Sequence, residues 1–217
     1  MRMANPSPAS VAVIDHGLCN MNSIVRALEY CGGEVRVVQS PKDLDCATHF
    51  VLPGVGAFPA AMAMLQRSGL ADALTHRVIN LRMPVLGICL GMQLMFSVGE
   101  EIEETPGLGW IPGRVVRITA QEGERVPHIG WNTVDFRPDF RLAREVKEPK
   151  DFYFVHSFHV VPEDSETIAG TTPVAANIVS AVQTGSISGV QFHPEKSQNA
   201  GFSLLRSFLT TETAPEC

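Results

Sequence analysis

Residues 87–91, Gly-Ile-Cys-Leu-Gly, combine a nucleophile with the small flanks that a sharp strand-to-helix turn demands. In such an elbow the central residue has a strained backbone and its side chain is pushed outward, so small residues are needed two positions to either side. Free N–H groups and the dipole of the following helix favour an anionic sulfur at Cys89. The pentapeptide alone is equally compatible with a buried structural cysteine. A thiol nucleophile also needs a base, and the base needs a group that fixes its tautomer. Of the seven histidines, His193 alone has a carboxylate two residues further on, Glu195, with Pro194 stiffening the segment. At the end of a strand, that spacing lets both side chains act on one side of the chain; a solvated loop pair is the plainer alternative. A third element, Pro53-Gly54-Val55-Gly56, puts glycines where backbone N–H groups can approach an oxyanion, unless it is a simple turn. Taken together, these residues describe nucleophilic attack on an amide through a thioester.

Such chemistry requires strands that end at each of the three segments. Val11–Ile14, Val35–Val38 and His49–Leu52 read as strands, with a helix over Asn20–Tyr30 that stops at Gly32-Gly33. Three strands with crossovers predict a parallel sheet. Ala60–Leu65 and Leu70–Leu81 have helical spacing, Pro84–Ile88 is a strongly apolar strand, and Leu90–Phe96 resumes helical spacing directly after Cys89. From Gly107 the pattern changes to short β-prone runs, Val115–Ile118, Asn132–Phe136, Phe152–Val155 and Phe158–Val161. Ser180–Gln183 and Ser188–Phe192 predict a hairpin whose second strand delivers His193, and Gly201–Leu209 a closing helix. The expectation is one α/β domain over residues 11–210, with a disordered N-terminal tail at 1–10 and a C-terminal tail at 211–217.

The 217 residues carry 17 Lys plus Arg against 23 Asp plus Glu, a net charge of −6, which repels a polyanion and argues against a nucleic-acid role. Five cysteines, without a C-x-x-C pair or a secretory leader, argue against a disulfide framework or structural zinc and point to the reducing cytoplasm. No window approaches the ~18 consecutive apolar residues of a membrane span.

GICLGMQ (87–93), LPGVGAF (52–58), PHIGWN (127–132), FYFVHS (152–157) and GVQFHPEKS (189–197) together resemble the class I glutamine amidotransferases. Within that family the chain is most similar to the glutaminase subunits of imidazole glycerol phosphate synthases, PHIGWN and FHPEKS setting it apart from the anthranilate and guanylate relatives. The resemblance runs from about Val11 to about Leu209, with the motifs in the expected order. It implies a flavodoxin-like α/β fold, with a central, mostly parallel sheet flanked by helices and antiparallel strands added in the C-terminal half. It also implies hydrolysis of glutamine to glutamate and ammonia by a triad of Cys89, His193 and Glu195. The Leu90 N–H and the Gly54-Val55 segment, after a peptide rearrangement, would hold the tetrahedral oxygen. Gly56, Gln93 and the backbone of His156, Ser157 and Phe158 would clasp the substrate. No cofactor and no metal are implied.

Ammonia released into neutral water becomes ammonium and loses its lone pair, so such enzymes pass it directly to a synthase. The chain has no phosphate-binding Gly-rich loop and no room for a (β/α)₈ barrel of ~250 residues. The resemblance implies a heterodimer with a barrel cyclase that makes imidazole glycerol phosphate and an aminoimidazole carboxamide ribotide in histidine biosynthesis. Asn20, Trp131, Tyr153 and Lys196 would lie at the docking face, although Trp131 suits core packing equally well.

Two stretches depart from the family pattern. His16 and Cys19 stand where an aromatic or small residue and a glycine are usual, and Phe158 where tyrosine is common. The first lies where partner contacts are expected, which keeps open a relative that supplies ammonia to a sugar amidotransferase in surface-polysaccharide synthesis. A flavodoxin-like cysteine peptidase or deglycase is a further alternative, but those enzymes usually place His directly after Cys, where this chain has Leu90. A non-catalytic binding subunit would have lost the triad that this chain retains.

Overall fold

A computed structural model describes residues 8–17, 21–123, 125–175 and 177–212. Asn20 and Cys19 lie outside these residues, as do most of the two predicted tails.

The first half alternates strand and helix: β1 (Ser10–Ile14), α1 (Met21–Tyr30), β2 (Glu34–Val38), β3 (His49–Gly54), α2 (Phe58–Ser68), α3 (Leu70–Thr75), β4 (Val85–Cys89) and α4 (Leu90–Leu94). The second half is mostly strand: β5 (Phe96–Gly99), β6 (Thr105–Pro106), β7 (Ile111–Arg117), β8 (His128–Thr133), β9 (Asp135–Phe136), β10 (Asp151–His156), β11 (Phe158–Pro162), β12 (Ile168–Thr172), β13 (Ile178–Thr184) and β14 (Ile187–Val190), closed by α5 (Gln198–Leu209).

The central sheet has the order β2-β1-β3-β4-β14-β13-β12-β9. From β2 to β14 every pairing is parallel, and the last three strands add antiparallel pairings. β1, β3 and β4 are buried along nearly their whole length, which explains why they read as continuous apolar runs rather than alternating ones. Successive residues still face opposite layers. Ala12, Ile14, Phe50 and Leu52 pack with α2 and α3, whereas Val11, Val13, Val51 and Ile88 pack with α1 and α5. Each fully buried Phe or Leu contributes about 1.5–3 kcal/mol, so the two layers fix the sheet against which the site is built. Two smaller sheets, β10-β8 and β11-β7-β5-β6, flank it.

The differences from the expected elements have local causes. The helix predicted over Leu90–Phe96 ends at Leu94, because Phe96 enters β5 and pairs with Ile111. Leu70–Leu81 is α-helical to Thr75 and continues as a π-helix over His76–Asn80, closed by the Leu81 N–H on the His76 carbonyl. Asn132–Phe136 is divided between two sheets, β8 pairing with β10 and β9 with β12. The strand predicted to reach Phe192 stops at Val190.

Candidate active site

The carboxyl ends of three adjacent parallel strands converge. Gly54 of β3 lies opposite Cys89 of β4, and Val190 of β14 lies opposite Ile88. Parallel sheets bind ligands outside these ends.

Cys89 joins β4 to α4 with φ 55° and ψ −113°, a conformation that non-glycine residues avoid at a cost of about 1–3 kcal/mol. The flanking glycines carry the turn by close approach. A Cβ on Gly91 would lie 1.6 Å from the Leu52 carbonyl oxygen, and one on Gly87 would lie 2.8 Å from the Met92 backbone. Gly91→Ala must therefore displace backbone, and a thermal melt is expected to fall by at least about 10 °C or show no folded protein.

His193 reaches the sulfur, and Glu195 reaches His193, by a different route from strand alternation. Beyond β14 the His193 N–H bonds the Tyr153 carbonyl, and Pro194–Lys196 form a single tight turn. The Ser197 hydroxyl ties this turn down, donating to the His193 carbonyl at 2.6 Å and accepting the Tyr153 N–H at 3.0 Å. His193 Nδ1 lies 2.8 Å from Glu195 Oε1, both side chains being buried, which makes Nδ1 the protonated nitrogen. Nε2 is then the nitrogen left for the Cys89 sulfur. Burial pushes the ring pKa down, but the anionic Cys89 sulfur and the Glu195 carboxylate more than reverse this and hold it up at about 10.

Cys89, 6 % exposed, opens into a cleft of about 540 Å³. Val55, Gly56, Leu90, Gln93 and the 156–158 segment line it, so most of the predicted oxyanion and substrate residues surround the sulfur. Gly54 instead lines a separate small cavity, with His193 and Glu195. Gln93 is buried and the amino end of its amide is already engaged, Nε2 donating to the Phe158 carbonyl and to Gln191 Oε1, each at 3.0 Å. His156 Nδ1 donates to the same carbonyl at 2.8 Å, and its Nε2 lies 2.9 Å from His128 Nδ1.

Burial holds His156 far below its ordinary 6.5, at about 3, and burial also lowers His16, His49 and His159. Well above pH 6.5 these rings are neutral in folded and unfolded chains alike. As the pH falls from 6.5 toward 3, the unfolded chain takes up protons that the folded His156 refuses, and stability is lost. His193, protonated in both states below 6.5, adds nothing in that window. His156 alone is expected to cost about 2 kcal/mol between pH 6.5 and 5, read as a lower urea midpoint at the acid end.

Of the residues assigned to docking, Trp131 and Tyr153 are register partners on β8 and β10 with rings 6.1 Å apart, and the Lys196 ammonium lies 5.6 Å from the Tyr153 ring. Trp131 is 50 % exposed, so it is not a core residue. Asn20 falls outside the described residues. Motif spacing missed Gln191, whose Nε2 donates to Cys89 Sγ at 3.6 Å, and Glu101, whose Oε2 accepts the Phe58 N–H at the start of α2 beside the cleft. A polar residue inside the apolar run Val190-Gln191-Phe192 was the available signal for Gln191.

The profile of the family described as Glutamine amidotransferase class-I matches residues 12–211. Imidazole glycerol phosphate synthase subunit HisH of Moorella thermoacetica is 44 % identical over 198 residues, covering 91 % of this chain and 93 % of the relative. Imidazole glycerol phosphate synthase hisHF, chloroplastic, of Arabidopsis thaliana is 42 % identical over 211 residues, which take in 96 % of this chain but only 35 % of that longer protein. A crystal structure of a glutamine amidotransferase shares the fold with a TM-score of 0.69 at 20 % identity, over 93 % of this chain and 97 % of that one. With nearly the whole chain matched on both counts, it belongs to the class-I glutamine amidotransferase family, in the group of its HisH relatives.

Proposed function

We propose that the domain at residues 11–210 is the glutaminase subunit of an imidazole glycerol phosphate synthase. The observation that carries this reading is a strained cysteine at a strand end, opening into a cleft beside a histidine already fixed by a carboxylate. In the proposed reaction the Cys89 proton rests on His193 Nε2, and the anionic Sγ attacks the carboxamide carbon of glutamine. The Leu90 N–H, with Gly54-Val55 after rearrangement, holds the tetrahedral oxygen. His193 returns the proton to the leaving nitrogen, the C–N bond breaks, and ammonia departs, leaving a γ-glutamyl thioester. Water, deprotonated by His193, then cleaves the C–S bond and releases glutamate. Glu195 keeps the imidazole in the right tautomer and stabilises the imidazolium. Gly56, Gln93 and the backbone of His156, Ser157 and Phe158 position the α-amino and carboxylate ends of the substrate.

The ammonia must reach its acceptor before it is protonated, which calls for a synthase docked over the site. The curated relatives' names support this, as does the hisHF protein of which this chain matches only about a third. We assign the docking face to Trp131, Tyr153 and Lys196 together with Asn20, and the partner to a (β/α)₈-barrel cyclase in a cytoplasmic heterodimer that serves histidine biosynthesis. Among the described residues no helix is long and apolar enough to cross a membrane.

Incubation with glutamine tests both levels. Glutamate release that is slow alone and accelerated by the cyclase supports the proposal. Acceleration only by a sugar amidotransferase would move the partner to surface-polysaccharide synthesis, and no release with either would overturn the glutaminase reading.

A further inference from the structure

Gln191, wholly buried just beyond β14, touches the nucleophile, its Nε2 lying 3.6 Å from Cys89 Sγ. An amide has a donating and an accepting end, and the end that faces the sulfur decides whether negative charge there is favoured or opposed. The neighbouring bonds decide it. The Phe158 carbonyl can only accept, so His156 Nδ1 at 2.8 Å and Gln93 Nε2 at 3.0 Å must both be donors. The same Gln93 amino group reaches Gln191 Oε1 at 3.0 Å, which leaves the amino group of Gln191 for the sulfur. On the other side His156 Nε2 accepts from His128 Nδ1 at 2.9 Å, as a neutral ring must.

We propose that Gln191 is a catalytic residue: its side-chain amide donates to the anionic Cys89 sulfur, and Gln93 with the Phe158 carbonyl holds that amide in its donating orientation. The catalytic role rests on the glutaminase reading, whereas the contact with the sulfur does not. A hydrogen bond to an ion is stronger than one to a neutral group, and removing it leaves a buried sulfur with less to stabilise its charge. The titratable groups around this sulfur are His193 and Glu195 beyond β14, His156 on β10, Glu101 after β5 and His16 after β1, and none is altered by a substitution at position 191.

Gln191→Met removes the donor at nearly constant volume, and Gln191→Glu sets a carboxylate oxygen against the sulfur. Iodoacetamide alkylation of the full chain is followed from about pH 5 to about pH 10, with Cys89 quantified by peptide mapping and exposed Cys46 as the reference thiol. The Cys89 midpoint is expected to rise by about one unit in Gln191→Met and further in Gln191→Glu. With the synthase partner present, kcat for glutamine is expected to fall at least about tenfold with KM changed less than about threefold. An unmoved midpoint in a variant that melts with the wild type overturns the proposal, as does a loss carried wholly by KM. If neither variant folds, the ¹⁵N-labelled wild type decides: the Gln191 side-chain amide resonance must shift as Cys89 titrates, and a resonance that stays still overturns the contact. A shifted midpoint in a chain with no glutaminase activity would uphold the contact and remove the catalytic role.

Discussion

Cys89→Ala is expected to lower glutamine-dependent synthesis by the assembled synthase at least about 10⁴-fold while ammonia-dependent synthesis stays within about twofold of wild type. The large effect follows from covalent chemistry. Without the sulfur there is no thioester, and Val55, Gly56 and Leu90 around the cleft can only bind the amide without opening a path to its cleavage. The small effect follows from the division of labour, since added ammonia bypasses this subunit entirely. Alanine also keeps the fold, because it accepts the same backbone strain and removes one atom at the cleft wall. Parallel assays with glutamine and with an ammonium salt check both halves. An equal loss with both nitrogen sources would mean that the substitution had damaged docking.

Glu195→Gln is expected to reduce kcat about 10³-fold and to change KM less than about threefold. Glu195 Oε1 accepts from His193 Nδ1 at 2.8 Å, and its charge is one of the influences that raise the ring against the burial that lowers it. Glutamine at this position keeps the shape and loses the charge, so the imidazolium that pairs with the anionic sulfur becomes costly. Glu195 lines the small cavity with His193 and not the cleft in which the substrate is proposed to sit. Steady-state kinetics with the partner in excess separate the two parameters. A loss carried by KM would argue that Glu195 shapes the substrate site instead.

The elements that carry the site were legible because each rests on a local rule. Buried strands β3 and β4 need continuous apolar residues, the elbow needs Gly87 and Gly91, and the hairpin β13–β14 has its turn in Thr184-Gly185-Ser186. Tertiary partners decided the rest. Nothing in Leu94-Met95-Phe96 stops a helix; the chain leaves α4 because Phe96 finds β7. The side-by-side placing of His193 and Glu195 was expected from strand alternation but comes from the turn at Pro194, whose geometry depends on Ser197 and Tyr153. Trp131 suited core and surface equally in sequence, because only the packing among the described residues leaves its side of the β8–β10 pair exposed. Gln191 and His128 belong to a buried hydrogen-bonded chain assembled from four strands and a short helix, and spacing along a sequence carries no record of such partners.

The proposed glutaminase chemistry requires a covalent bond between substrate and one sulfur, and that bond can be trapped. Glutamine is mixed with the chain and its synthase partner, the reaction is quenched in acid within a turnover, and the digested protein is mapped by mass. A glutamyl group is expected on the peptide that contains Cys89, present in the wild type and missing from Cys89→Ala. A glutamyl group on any other residue, or glutamate formed at full rate with Cys89 unmodified throughout, would contradict that chemistry.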